Sequence, residues 1–313
     1  MKKLCFVGFD TSNYTTSVAV ANHDGEIVAN LKTPLPVADG ARGLRQSDAV
    51  FAHIKNLPAL CDELKTILSD YQPVAVGVSS RPRSVEGSYM PCFLSGEVAA
   101  HSFAAAGSLP IFEFSHQDGH VKAAYYSSGA MINGDFAAFH VSGGTTEILY
   151  VKKQDGGFSV ELIGGTEDLN AGQSIDRAGV MMGLKFPCGA EMDKLAGESQ
   201  ATLPPIKVCV KGLNCNLSGV ENLSSKLWRE SRDNRLVSAF VFEYVAKTIN
   251  KLTDNLRELY PEIPVIYAGG VMSSKYITSR LERQGVYFAK PAFSADNAAG
   301  IALLCREKYL NER

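Results

Sequence analysis

"LCFVGFDTSNYTTSVAV" (residues 4–20) and "FAAFHVSGGTTEILYVK" (residues 136–152) decide how this chain folds. A shift of 130 residues lays Phe6 on Phe136, Phe9 on Phe139, Ser12 on Ser142 and Thr15-Thr16 on Thr145-Thr146. In each stretch a buried apolar run meets a polar turn and resumes with strand alternation. A second turn follows each time, "NHDG" (22–25) and "QDGG" (154–157), and then a third strand, "EIVANLKT" (26–33) or "FSVELIGG" (158–165). Matching strand order and turn chemistry point to an internal duplication of a three-stranded meander.

The pattern continues outward from both meanders. Val50, Ile54, Leu57, Leu60, Leu64 and Ile67 recur at helical spacing in residues 48–70. Val237, Val241, Tyr244, Val245, Ile249, Leu252 and Leu256 do so in 234–258. Each half then returns to a buried strand, "PVAVGVSS" (73–80) and "PVIYAGG" (264–270). No low-complexity linker separates the halves. The expectation is an α/β protein of two closely packed halves, with strand-end turns facing a cleft.

Composition narrows the class. The chain has 313 residues, 45% hydrophobic and 20% charged, as in ordinary globular proteins. A net charge of −2 supplies no general positive field for nucleic acid, so an RNA substrate would need a local patch or a partner. Seven cysteines without a Cys-x-x-Cys pair fit reduced thiols and a cytoplasmic protein. The apolar run at the N-terminus stops at Asp10, and no stretch approaches the length of a membrane span.

Several short stretches carry possible chemistry. In "FSHQDGHVKAAYY" (114–126), His116 and His120 stand four apart, on one face of a helix that Ser115 can cap. Two histidines need a third ligand to make a metal site. In "FSADNAAGIALL" (293–304), Asp296 is either a helix cap or that missing oxygen ligand. Two histidines and a carboxylate suit iron or zinc with positions open to substrate. "HVSGGTTE" (140–147) is either an ordinary Gly-Gly hairpin or a turn whose amides approach a phosphate. "YAGGVMSS" (267–274) is a strand, a double glycine and a helix start, which is an ordinary cap or an anion site. Asp176 and Asp193 flank a Pro-Cys-Gly turn. They are either solvated helix carboxylates or ribose contacts, with Gly189 admitting a flat nucleoside.

Taken together these motifs resemble the tRNA threonylcarbamoyladenosine transferases, formerly called O-sialoglycoprotein endopeptidases. "GFDTSNYTTSVAV" is similar to the family's G-I-E-T-S-C-D-E-T-S-V-A, "HQDGH" to H-x-x-G-H and "VSGGTTE" to V-S-G-G-H-T-Q. "IDRAGVMMGLKFPCGAEMDKLA", "NLSGVEN", "AGGVMSSKYI" and "SADNAAGIA" follow in the family's order. The resemblance implies the ASKHA architecture of actin, sugar kinases and heat-shock ATPases, two ribonuclease H-like lobes around a nucleotide cleft. It implies lobes at 1–130 and 131–296, with a C-terminal helix at about 297–313 packing back onto the first. It makes His116, His120 and Asp296 ligands of one divalent metal, iron or zinc. Contacts to ATP, ADP or threonylcarbamoyl-AMP then fall on His140, Val141, Ser142, Gly143, Gly144, Thr145, Asp176, Gly189, Asp193, Gly269, Gly270 and Ser274. The implied reaction passes a threonylcarbamoyl group to N6 of a tRNA adenosine, with protein partners of the family's modification complex.

The departures from the pattern are local. Asn13, Tyr14 and Thr15 replace Cys-Asp-Glu, so two carboxylates leave the first turn. A loop usually built of glycines reads "RPRSVEG" (81–87), and the usual Asn falls on Ser274. Arg81 and Arg83 are either solvated surface charges or holders of an anionic acceptor. Two functions follow: a metal-dependent transferase, or a catalytically altered ATP-binding paralogue serving as a partner in such a complex. A peptidase has little support, because no H-E-x-x-H is present.

Overall fold

The computed structural model describes residues 2–12, 14–36 and 44–313. Asn13 of the altered first turn lies outside the described residues. The strands are β1 (Lys3–Ser12), β2 (Thr15–Asn22), β3 (Ile27–Pro34), β4 (Tyr71–Arg81), β5 (Ile111–Ser115), β6 (Phe136–Val141), β7 (Thr146–Gln154), β8 (Gly157–Thr166), β9 (Cys209–Lys211), β10 (Asn214–Asn216), β11 (Val265–Ala268) and β12 (Val286–Phe288). The helices are α1 (Gln46–Ile67), α2 (Phe93–Gly107), α3 (His116–Ser128), α4 (Ala171–Met181), α5 (Gly189–Glu198), α6 (Gly219–Ser231), α7 (Asn234–Leu259), α8 (Lys275–Leu281), α9 (Pro291–Ser294) and α10 (Ala299–Asn311).

One sheet has the order β3-β2-β1-β4-β5, the other β12-β11-β6-β7-β8-β10-β9. Apart from the added β9–β10 pair, the second repeats the first with β6, β7, β8, β11 and β12 in place of β1 to β5. The register repeats as well. Thr11 pairs with Thr16 in β1–β2, and Val141 with Thr146 in β6–β7, the same pair shifted by 130 residues. A one-residue slip would turn each apolar face outward, so equal register is a stronger sign of duplication than the identities.

Contacts divide the chain into two units. The first holds Met1–Tyr126, Lys153–Val160 and Ala295–Arg313, and the second holds Ser127–Lys152 and Glu161–Ser294. In the first, both faces of the sheet are covered, which explains why β1 reads as a continuous apolar run. Cys5, Val7 and Phe9 pack with Leu57, Leu60 and Leu64 of α1 and with Ala100 and Ala104 of α2. The alternate residue Phe6 packs with Cys305 of α10. Gly8 and Gly77 are side by side on β1 and β4. A Cβ on Gly8 would lie 2.5 Å from the Ala302 nitrogen, and one on Gly77 2.8 Å from the Cys305 Cβ. The paired glycines therefore form the trough in which α10 lies, with Ala299 through Cys305 buried against it.

In the second unit, Phe139, Val141 and Ile148 share a core with Ile175 and Ala178 of α4 and with Val237, Val241 and Val245 of α7. No described helix is long and apolar enough to cross a membrane.

Candidate metal centre and nucleotide face

The first unit gathers polar side chains beyond the C-terminal ends of β1, β4 and β5, where parallel α/β sheets place their ligands. Asp10 sits near the end of β1, and His116 follows β5 directly. The start of α3 is fixed by a reciprocal cap. Ser115 Oγ accepts from the Asp118 amide at 3.1 Å, and Asp118 Oδ2 accepts from the Ser115 amide at 3.2 Å. This locks the first turn, which aims His116 and His120 the same way.

Asp296 completes the group. It is not the cap of α10: Asn297 Oδ1 takes the Ala299 amide at 3.0 Å, which leaves the Asp296 carboxylate for the histidines. His116 Nε2 and His120 Nε2 are 2.9 Å apart. Asp296 Oδ1 lies 3.2 Å from His120 Nε2 and 3.5 Å from His116 Nε2. Three donors at about 2.1 Å from a tetrahedral ion would stand roughly 3.4 Å apart. The cluster is therefore close to the spacing that zinc or iron requires, and these three residues could hold such an ion.

The electrostatics fit the same reading. Burial disfavours charge on His116, but Asp10 and Asp296 outweigh it and raise the imidazole to about 10. Burial also opposes charge on Asp296, yet hydrogen bonds from His116 and His120 hold it well below the usual carboxylate range. Two carboxylates thus attract positive charge to the His116 ring, and a divalent cation would take the place of that proton.

Asp10 was not singled out from sequence, where it read only as the end of a strand. It is 1% exposed. Its Oδ2 lies 2.7 Å from His116 Nδ1, and its Oδ1 accepts the Ser12 amide at 2.9 Å. An Nδ1–H held on Asp10 leaves Nε2 as the ligand atom. Arg81 lines a cavity of about 240 Å³ with Glu113, Asp118 and Asp155, and its Nη1 donates to Ser80 Oγ.

In the second unit, the glycines of the predicted nucleotide motifs, together with Gly172 at the start of α4, fall into two kinds. Gly269 and Gly172 are packing glycines. A Cβ on Gly269 (φ +101°) would sit 2.2 Å from the Val141 oxygen, and one on Gly172 2.7 Å from Gly143. These close approaches bring the β6 turn, the β11 end and the start of α4 together. Gly143, Gly144, Gly189 and Gly270 differ: a Cβ on any of them would meet nothing within 4 Å, and none has a left-handed φ. Neither packing nor backbone strain asks for glycine there. A side chain at any of them would stand in open space.

The remaining candidates are placed as follows. Ser142 Oγ accepts the Gly144 and Thr145 amides at 3.2 and 3.1 Å, which shapes the turn. Thr145 is half-buried beside it, and His140 is opposite Glu147 on the strand pair. Asp176 Oδ1 accepts the Cys188 amide at 2.7 Å, which ties α4 to the residue before Gly189, and burial raises its carboxyl. Asp193 accepts from Ser274 Oγ and from the Lys275 and Tyr276 amides, so Asp193 and Ser274 together cap α8.

A family model for tRNA N6-adenosine threonylcarbamoyltransferase matches residues 46–303. The enzyme of that name from Streptococcus gordonii is 30% identical over 317 residues, covering 96% of this chain and 91% of the relative. Full-length HypF, solved in a phosphate- and nucleotide-bound form, superposes with a TM-score of 0.60 at 13% identity, over 99% of this chain and 55% of HypF. A ROK family glucokinase from Streptomyces griseus, solved with glucose and AMPPNP, gives 0.50 at 14% identity, over 96% and 98%. These last two likenesses concern the fold, which is that of the ASKHA group.

Proposed function

The chain belongs to the tRNA N6-adenosine threonylcarbamoyltransferase family, and from that premise we propose that it transfers a threonylcarbamoyl group from an adenylate to N6 of a tRNA adenosine. The observation that carries the metal-dependent form of this reading is the His116–His120–Asp296 spacing. In this proposal those three side chains hold one iron or zinc ion. Such an ion would supply Lewis acidity to the reaction. In the transfer, N6 bonds to the carbamoyl carbon, the bond from that carbon to the phosphate oxygen breaks, AMP leaves with the electron pair, and the N6 proton passes to water. The protein's part is to place the two reactants. The open turn at Gly143-Gly144 admits phosphate to the backbone, and Gly189 and Gly270 leave room for the nucleoside. Asp176 commits one oxygen, Oδ1, to the Cys188 amide, and its other oxygen would take a ribose hydroxyl. We place the protein in the cytoplasm, with partner proteins of the family's kind.

Asp10 acts in this account as the positioning residue of His116. Asp10→Ala should weaken metal binding about 10- to 100-fold in a chelator competition. Asp10→Asn, which keeps an acceptor oxygen, should recover part of the loss. Equal affinity in all three proteins would remove Asp10 from the account.

Gly144→Val tests the nucleotide face. The position is exposed and a Cβ meets nothing, so the melting temperature should stay within about a degree or two of wild type. ATP or ADP affinity should fall at least tenfold by calorimetry, as the valine occupies the phosphate's space. Unchanged affinity would place the phosphates elsewhere.

The reading as a whole is tested by incubating the chain with threonylcarbamoyl-adenylate and unmodified tRNA, then digesting the RNA to nucleosides. Threonylcarbamoyladenosine is the expected product. Intact nucleotide binding without product would favour a non-catalytic partner, the role that the lost first-turn carboxylates would suit.

A further inference from the structure

An open groove of about 720 Å³ crosses the second unit between the end of α5, the Pro204-Pro205 segment, α7 and α8. Its charged lining is unbalanced: Lys247, Lys275 and Arg280 stand against one carboxylate, Glu243. Glu243 is already committed. It accepts from Arg280 Nε at 2.5 Å and from the Tyr276 hydroxyl at 3.3 Å. The Arg280 guanidinium carbon lies 3.4 Å from the centroid of the Tyr276 ring. The Lys247 ammonium is 3.9 Å from Glu243, beyond hydrogen-bond reach, and Lys275 forms no ion pair among the described residues. The result is two exposed ammonium groups, one of them only loosely ion-paired with Glu243, beside a cation–aromatic pair, in a protein whose net charge is −2.

That combination suits single-stranded RNA. Cations track the phosphates, and an aromatic or guanidinium plane stacks an unpaired base. An acidic peptide would use the cations but has no need of the plane. The position is also apt. The groove begins at Ala196, seven residues along α5 from Gly189, or about 10 Å at the helical rise. An acceptor seated there would have neighbouring nucleotides beside the face proposed above for the donor. We propose that this groove docks the sugar-phosphate backbone of the RNA acceptor, with Lys247 and Lys275 on phosphates and the Arg280–Tyr276 pair under an unpaired base. The proposal rests on the tRNA reading of the preceding section.

The test compares wild type with Lys247→Gln/Lys275→Gln in binding unmodified tRNA across a salt series. A second pair, Lys65→Gln/Lys226→Gln, removes the same charge from α1 and α6. Each single-strand phosphate contact contributes about 0.7 to the slope of log K against log salt. The groove variant should therefore lose about 1.4 from the slope and bind roughly 25-fold more weakly at about 0.1 M salt. Its ATP affinity and melting temperature should not move, and the second pair should behave as wild type. Wild-type RNA binding in the groove variant, or an equal loss in the second pair, would overturn the groove and leave the transfer reaction standing. Weakened binding of a poly-glutamate peptide with unaltered RNA binding would assign the surface to an acidic polypeptide instead. If wild type binds no tRNA at any salt, the groove and the acceptor reading fall together.

Discussion

Purified protein is expected to carry about one equivalent of iron or zinc, and the His116→Ala/His120→Ala variant none. Two of the three protein donors are then gone, and one carboxylate holds a divalent ion poorly. The side chains of His116 and His120 are 19% and 14% exposed, at the edge of the fold rather than in its apolar core, so the variant should still fold. Binding should also depend on pH. Asp10 and Asp296 raise His116 to about 10, so below that pH an incoming ion displaces a proton. Apparent affinity should rise by up to about tenfold per pH unit between pH 6 and 8, with proton release visible in buffers of different ionisation enthalpy. The metal-free protein behaves in the opposite sense. A raised histidine pKa stabilises the fold fully below the unfolded value, near 6.5, and that contribution fades as pH rises through about 10. Stoichiometric metal in the double variant would contradict the assignment.

Gly300→Ala should be the most damaging single methyl in the first unit. A Cβ there would lie 1.8 Å from the Gly119 carbonyl oxygen and 2.7 Å from its carbon. Both are backbone atoms of α3 and cannot rotate away, so α10 and α3 must part by more than an ångström. Gly119 adjoins His120, and Asp296 lies four residues before Gly300. The same displacement therefore pulls the carboxylate from His120, now 3.2 Å away. Stability should fall by about 1–3 kcal/mol or more from overpacking, and metal affinity should fall with it. Gly119→Ala is the control. Its Cβ meets the end of the Ile301 side chain at 2.9 Å, which can change rotamer, so its effect should be smaller. Denaturant midpoints and chelator competition measure both; a Gly300→Ala protein equal to wild type, or milder than Gly119→Ala, would refute the argument.

What the sequence made legible was the part set by short-range periodicity. The duplicated meander could be read because buried strands and polar turns leave a local pattern, and the structure returns it with the register intact. The helical stretches 48–70 and 234–258 appear as Gln46–Ile67 and Asn234–Leu259 for the same reason. His116 and His120 could be paired because four residues make one helical turn. Long-range commitments were hidden. Asp10 and His116 are 106 residues apart, and a lone Asp closing a strand has no pattern that names its partner. Asn297 and Asp296 are adjacent and both suit a helix cap, so only the geometry separates the cap from the carboxylate facing the histidines. Gly300 sits in an alanine-rich helix where one more small residue stands out little, although its neighbour across the packing is a second glycine. Asp193 and Ser274 are 81 residues apart and hydrogen-bond each other, which spacing alone cannot show.

The central claim is that the chain itself, with a metal held by His116, His120 and Asp296, carries out the transfer. The most direct measurement is a single turnover with threonylcarbamoyl-adenylate labelled in the threonyl carbon and unmodified tRNA. It compares metal-loaded protein, chelator-stripped protein and stripped protein restored with iron or zinc. The account predicts label in tRNA adenosine with the loaded protein, loss of at least a hundredfold in rate on stripping, and recovery on restoring the metal. Label transferred at the same rate by the stripped protein, or none transferred by the fully loaded one, would contradict it.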